Sequence, residues 1–280
     1  MALIESPSRD AVPTAEVDGR PVRQGSNPAA YRALVWALRI GILAAFLGVW
    51  QKIGTSTVYW QVEITSPSKI WSKLAAWVTT HQFWIDFRTT LTEAALGYLL
   101  GVGGALVMVA IVIAVPNLGR FLKPFLAMLN ALPKVVLAPL FIVWFGVNTK
   151  SKVYFVASLI FFIIFYGVYT AIRAIDRTLL DNTRALGASR LQLVRSVFIP
   201  AIVTWLIASL RVGGAYALLA AIFAEFLGAS GGIGSRISQG QQLLHNDQVM
   251  AGIFVIAIAA LVLDRVLVRL ERRFAKWRLF

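Results

Sequence analysis

The sequence predicts an all-α integral membrane protein of six transmembrane helices, with a polar loop of short helices between the fourth and fifth. Three observations carry this. Of 280 residues, 58% are hydrophobic and only 14% are charged, well beyond a soluble domain's apolar share. The apolar residues fall into six runs, at about 33–53, 90–115, 121–146, 152–174, 201–227 and 248–268. Each is near the roughly 20 residues that cross hydrocarbon. The charges gather between the runs.

Composition also excludes several functions. The net charge of +14 comes mostly from Lys and Arg in turns and tails beside the spans, which is how loops of membrane proteins are built, so no nucleic-acid partner is expected. The chain has no cysteine, and its two histidines, His81 and His245, stand far apart. A disulfide framework, a thiolate metal site and a histidine cluster are therefore not expected, and no cofactor is assigned to this chain.

Residues 1–30, rich in Pro, Ser and Gly with mixed charge, read as a disordered tail. They lack the apolar stretch of a cleavable signal peptide. Residues 31–280 form the transmembrane domain. Counted on alternate sides of the six spans, Lys and Arg number eighteen against seven. The richer side holds both termini and the 176–200 loop, and the positive-inside rule places it in the cytoplasm.

Between the first two spans, Ser66-Pro67 opens a helix by a hydroxyl cap and a proline at the first helical position. Ile70, Trp71, Leu74, Trp77 and Val78 then recur at helical spacing. This predicts a helix lying along the outer interface, with Trp60, Trp71, Trp77 and Trp84 at headgroup level or packed on the protein's own surface. In the second span Gly97 and Gly101 lie four apart, a spacing that lets helices approach closely, within the chain or between subunits. The third span carries Pro124, Pro133 and Pro139, each removing a backbone donor and bending the helix, as expected of a helix lining a path.

Two cations fall within spans, Lys134 in the third and Arg211 in the fifth. Both are expected near the midplane, with no carboxylate at that depth; Glu93 and Glu225 lie toward the outer face. They either brace bent helices through backbone carbonyls or meet a passing anion. After the fifth span, residues 228–234 (Gly-Ala-Ser-Gly-Gly-Ile-Gly) match the G-x-S-x-G pattern of serine hydrolases, with His245 and Asp247 nearby. Ser230 lacks a base on a rigid element, so a flexible glycine turn is expected there. No phosphate-binding loop of the G-x-x-x-x-G-K-[ST] type occurs. The chain is not expected to be an enzyme.

The loop at 176–200 is the most informative segment. Asp176 to Pro200 reads DRTLLDNTRALGASRLQLVRSVFIP. Gly187 closes one helix in the left-handed conformation. Ser189 with Gln192 forms a capping box that opens a second. Leu179, Leu180, Leu191, Val194, Val197 and Phe198 give an apolar side, and Arg177, Arg184, Arg190 and Arg195 a basic one.

This loop resembles the coupling motif of the permease subunits of ABC importers, which reads E-A-A, three residues, Gly, nine residues, Ile, one residue, Leu-Pro. Gly187 takes the glycine, and Val197, Ile199 and Pro200 fall at the last three offsets. The first three positions depart from the motif, being Asp181, Asn182 and Thr183. Residues 131–140 with Trp144-Phe145-Gly146, Ser209-Leu210-Arg211, and 224–228 with Gly231-Gly232-Ile233-Gly234 are similar to the nitrate, sulfonate and taurine group of these permeases. The resemblance implies a type I importer fold in a bacterial inner membrane, two permease copies forming the path, two soluble ATPase subunits that bind ATP and magnesium, and an extracytoplasmic solute-binding protein. It implies ATPase coupling through Asp181, Arg184, Gly187, Ala188, Ser189, Leu191, Val194, Phe198 and Pro200. The translocation path is expected to involve Pro133, Lys134, Pro139, Arg211 and Glu225. A small organic or inorganic anion is the first choice of solute. An aromatic carboxylate or a vitamin precursor such as a thiamine pyrimidine is the alternative. A secondary transporter, or an intramembrane serine protease using Ser230, stands outside that class.

Overall fold

The computed structural model describes residues 28–57, 60, 64–115, 117–228 and 230–274, and every regular element among them is helical. The expected tail lies outside the described residues except for 28–30, which already belong to the first helix. The chain divides into two units, Met1–Val49 and Trp50–Phe280. The first contains most of α1 (Pro28–Ser56), apolar all round, with Leu34, Trp36, Ile40, Leu43 and Phe46 exposed. That is the composition of a helix solvated by lipid or by another helix rather than by water.

In the second unit, α2 (Pro67–Val78) follows Ser66 as expected, with Pro67 in its first turn. The cap differs from expectation. Ser66 Oγ pairs with Ser68 Oγ at 3.1 Å, and Gln51 Oε1 accepts the Ser68 amide at 3.1 Å instead. Leu74, Trp77 and Val78 pack against Phe83, Ile233, Ile237 and Val255, while Trp71 faces outward. One face of the helix therefore packs on the protein's own surface, while Trp71 stands clear of it.

Helix α3 (His81–Ala114) begins where Thr80 Oγ1 accepts the Phe83 amide at 3.2 Å. Its Gly97 and Gly101 meet α6 (Thr149–Ala174): a Cβ at either would collide with Val156 or with the Ala157 carbonyl. The glycine pair thus serves packing within the chain. Helix α6 starts on Asn148, whose Oδ1 accepts the Lys150 amide at 2.8 Å. It is the centre of the fold: Val156, Ile160, Ile164 and Val168, four apart, are fully buried in one stripe.

The third span is not one bent helix. Helix α4 (Leu118–Ala131) stops before Pro133, a 3-10 turn (Lys134–Leu137) follows, and α5 (Ala138–Phe145) leaves at 82° to the first half. Of the three prolines, Pro133 marks the break. Pro124 sits inside α4, and Pro139 occupies the first turn of α5, where a missing amide costs nothing. Counting this bent pair once, there are six candidate spans by length and composition among the described residues.

Helices α7 (Arg177–Ala185) and α8 (Arg190–Leu193) form the loop after α6. Helix α8 runs through a π-helical turn, Val194–Phe198, into α9 (Ile199–Gly228). The turn has a local cause. Pro200 has no amide and its ring clashes with the carbonyl four residues back, so the ladder opens and the Ile199 amide reaches Val194 O. A further helix stands where a flexible turn and loop are expected: α10 (Ile233–Gln242), followed by the last span, α11 (Asn246–Phe274).

Candidate functional site

The 176–200 loop forms from its own sequence. Asp176 Oδ1 accepts the Thr178 amide at 2.8 Å and starts α7. Gly187, at φ +83°, ends it: the Gly187 amide reaches Arg184 O and the Ala188 amide reaches Thr183 O, the paired bonds of a Schellman motif. The capping box is present in both directions. The Ser189 amide donates to Gln192 Oε1 at 2.7 Å, and the Gln192 amide to Ser189 Oγ at 3.3 Å. Arg184 pairs with Asp181 at 3.2 Å on the exposed side. Leu186 and Leu191 are 88% and 77% exposed, whereas Val194 and Phe198 are half-buried. The apolar tip is thus Leu186 with Leu191, and Leu186 was not legible as part of it.

Away from this loop, Lys134 sits at the break in the third span. With Pro133, Phe155, Ile163, Val212 and Tyr216 it lines a groove of about 540 Å³ between the 3-10 turn, α6 and α9. Lys134 is the one charged residue among those lining it, and its Nζ lies 5.7 Å from the centre of the Phe162 ring. Arg211 does not join it. Contrary to the expectation of no carboxylate at its depth, Arg211 reaches α11, with Asp264 at 3.1 Å and Glu271 at 3.3 Å. Pro139 lies exposed at the start of α5 and is not among the residues lining the groove.

Glu225 belongs to a buried polar cluster at the opposite end of α9 from the loop. Thr90 Oγ1 donates to Glu225 Oε1 at 2.7 Å, and the Gly234 amide donates to Glu225 Oε2 at 2.8 Å. Asp86 Oδ1 accepts the Gly232 amide at 3.1 Å, Thr90 Oγ1 accepts the Ile233 amide at 3.0 Å, and Arg236 binds Asp86 Oδ2 at 2.7 Å. Side chains of α3 and α9 therefore satisfy the amides at the start of α10, which would otherwise be orphaned in an apolar setting. Gly232, at φ +99°, has no room for a side chain beside the Glu225 carboxylate. The glycine turn is pinned. Ser230 is exposed at one end of α10, and His245 follows the other end. The intervening ten residues span about 15 Å, far outside nucleophile–base reach.

Residues 101–276 match the family described as binding-protein-dependent transport system inner membrane component. The chain belongs to that family. Among similar proteins, a putative aliphatic sulfonates transport permease of Bacillus subtilis is 28% identical over 87% of this chain and 88% of its own. The taurine transport system permease of Escherichia coli is 27% identical over 86% and 89%. A riboflavin transport system permease of Chloroflexus aurantiacus is 30% identical over 84% and 88%. In fold, the permease resembles a chain of an amino acid ABC transporter (TM-score 0.57, 16% identity, covering 72% of this chain and 95% of that one). It also resembles a chain of a bacterial importer of alginate (TM-score 0.55, 17% identity, covering 87% and 96%). The protein is a transmembrane permease subunit of the ABC importer class.

Proposed function

We propose that this permease carries a small organic anion of the aliphatic sulfonate or taurine type through the Lys134 groove, driven by ATPase subunits seated on the 176–200 loop. The observation that carries the reading is that loop. Its fold is fixed by the Gly187 helix end and one reciprocal capping box, yet it leaves Leu186 and Leu191 uncovered. An apolar tip on a basic loop fits a helix-in-groove contact with a soluble partner. The Lys and Arg bias supports a cytoplasmic position for this loop and both termini.

Asp181, Arg184, Gly187, Ala188, Ser189, Leu191, Val194, Phe198 and Pro200 form the coupling segment. ATP and magnesium are bound by the partner subunit, and a second permease copy completes the path. Closure of the ATPases moves the loop, and the bundle rocks between inward-open and outward-open states. An extracytoplasmic binding protein delivers the solute. Pro133 and Lys134 shape the path. The break exposes the groove, and the ammonium meets the anionic head while Phe155, Ile163 and Tyr216 take the aliphatic part. Arg211 and Glu225 flank the path as braces through α11 and α10.

The aromatic walls of the groove, together with the riboflavin permease among the similar proteins, favour one second reading, a planar vitamin or aromatic carboxylate. Uptake in proteoliposomes with the ATPase and binding protein distinguishes them. Labelled taurine or an alkyl sulfonate should accumulate only with ATP. Accumulation of riboflavin but neither sulfonate would establish the second reading, and movement without any ATPase would refute both.

A further inference from the structure

Glu93, Glu225 and Lys152 form a buried group whose charges do not balance. Lys152 Nζ binds Glu93 Oε1 at 3.0 Å, and the two side chains are 5% and 0% exposed. Of the other charged groups facing them, Asp86 and Arg236 are committed to each other. Glu225 is fully buried and receives only neutral donors, the Thr90 hydroxyl and the Gly234 amide. Glu93 stands three residues along α3 from Thr90, the residue that binds Glu225, so the two buried carboxyls lie at one face of that helix. Yet Glu93 Oε2 is buried and has no hydrogen-bond partner.

Two ionised carboxylates are acceptors only. Side by side in a low-dielectric interior they repel, and the facing oxygens stay unsatisfied. One proton removes both faults. We propose that Glu93 and Glu225 together bind a single proton, held between Glu93 Oε2 and the Glu225 carboxyl, so that the pair presents one negative charge to Lys152. The ligand is a proton, and the site joins α3, α6, α9 and α10. The remaining oxygens keep the partners they already have, so every acceptor of the pair is then satisfied.

The test is infrared spectroscopy of the purified permease in lipid nanodiscs at neutral pH, where the carbonyl stretch of a protonated carboxyl stands apart from ionised carboxylates. The wild type should show this band, and it should shift when glutamate is isotope-labelled. Glu93→Gln and Glu225→Gln should each abolish it, because the carboxylate left behind ionises opposite Lys152. Each single variant should melt close to wild type, and Glu93→Gln/Glu225→Gln well below it, since Lys152 then faces no anion. A wild-type spectrum without the band overturns the proposal, and this result needs no variant to fold. So does a band insensitive to glutamate labelling, or one that survives in either single variant.

Discussion

Gly232→Ala probes the pinned turn most directly. The backbone there, φ +99° and ψ 164°, lies in a region that is essentially glycine-only, and other residues are held in it at a cost of about 1–3 kcal/mol. A Cβ would also overlap the Glu225 carboxylate. Glu225 must then withdraw from the Gly234 amide and Thr90, and a charge-assisted bond of this kind is worth about 1.5–3 kcal/mol. The sum is about 2.5–6 kcal/mol, a large part of the roughly 5–15 kcal/mol by which domains are stable. Gly187→Ala is the matched control. Its φ is also positive, at +83°, but nothing stands within 4 Å of the added carbon, so only backbone strain of about 1–2 kcal/mol applies. Thermal unfolding in detergent, followed by size-exclusion chromatography, measures both. With about 2–4 °C per kcal/mol for domains of 150–250 residues, Gly232→Ala should melt roughly 10 °C below wild type and Gly187→Ala a few degrees below. Equal shifts in the two variants would refute the claim that α10 closes on that glycine.

Further outcomes follow from the same geometry. If the 176–200 loop couples as proposed, Gly187→Val should uncouple ATP hydrolysis from uptake while the permease still assembles, because the strain falls on that loop alone; unchanged transport in vesicles would contradict this. Lys134→Ala should lower uptake much more than assembly, read by transport beside pull-down of the ATPase, and wild-type uptake would remove Lys134 from the path. Lys152→Met strands buried carboxylate and should cost about 3–5 kcal/mol; adding Glu93→Gln should restore most of the lost melting temperature. Arg211→Ala leaves Asp264 and Glu271 facing each other, so melting should fall and recover in part with Asp264→Asn. A lack of recovery would mean that Arg211 acts by packing and not by charge.

What was legible in the sequence was local. The Ser189–Gln192 box and Gly187 act within a few residues, and the structure places each as the spacing implies. The apolar runs predicted the spans for the same reason. Partners far apart in the chain were not legible. Arg211 meets Asp264 and Glu271, 53 and 60 residues later, and only the packing of α9 on α11 brings them together. A signal for the polar cluster was present: Asp86, Thr90 and Glu93 recur on one face of an otherwise apolar helix, the mark of polar groups turned toward a partner inside the membrane. A bend in the third span is expected from its prolines, but not that it would be an 82° break at Pro133 alone, since membrane helices also carry prolines such as Pro124 without breaking.

Because Asp86, Thr90 and Glu225 grip the first amides of α10, the glycines after α9 act as a weld and not a swivel. Helix α9 is 30 residues long, a lever of about 45 Å. Gly252 of α11 in turn lies flush against Ile237 of α10. A push delivered at the near end of that lever cannot dissipate in slack chain; it arrives at the far face as the tilt of a whole block.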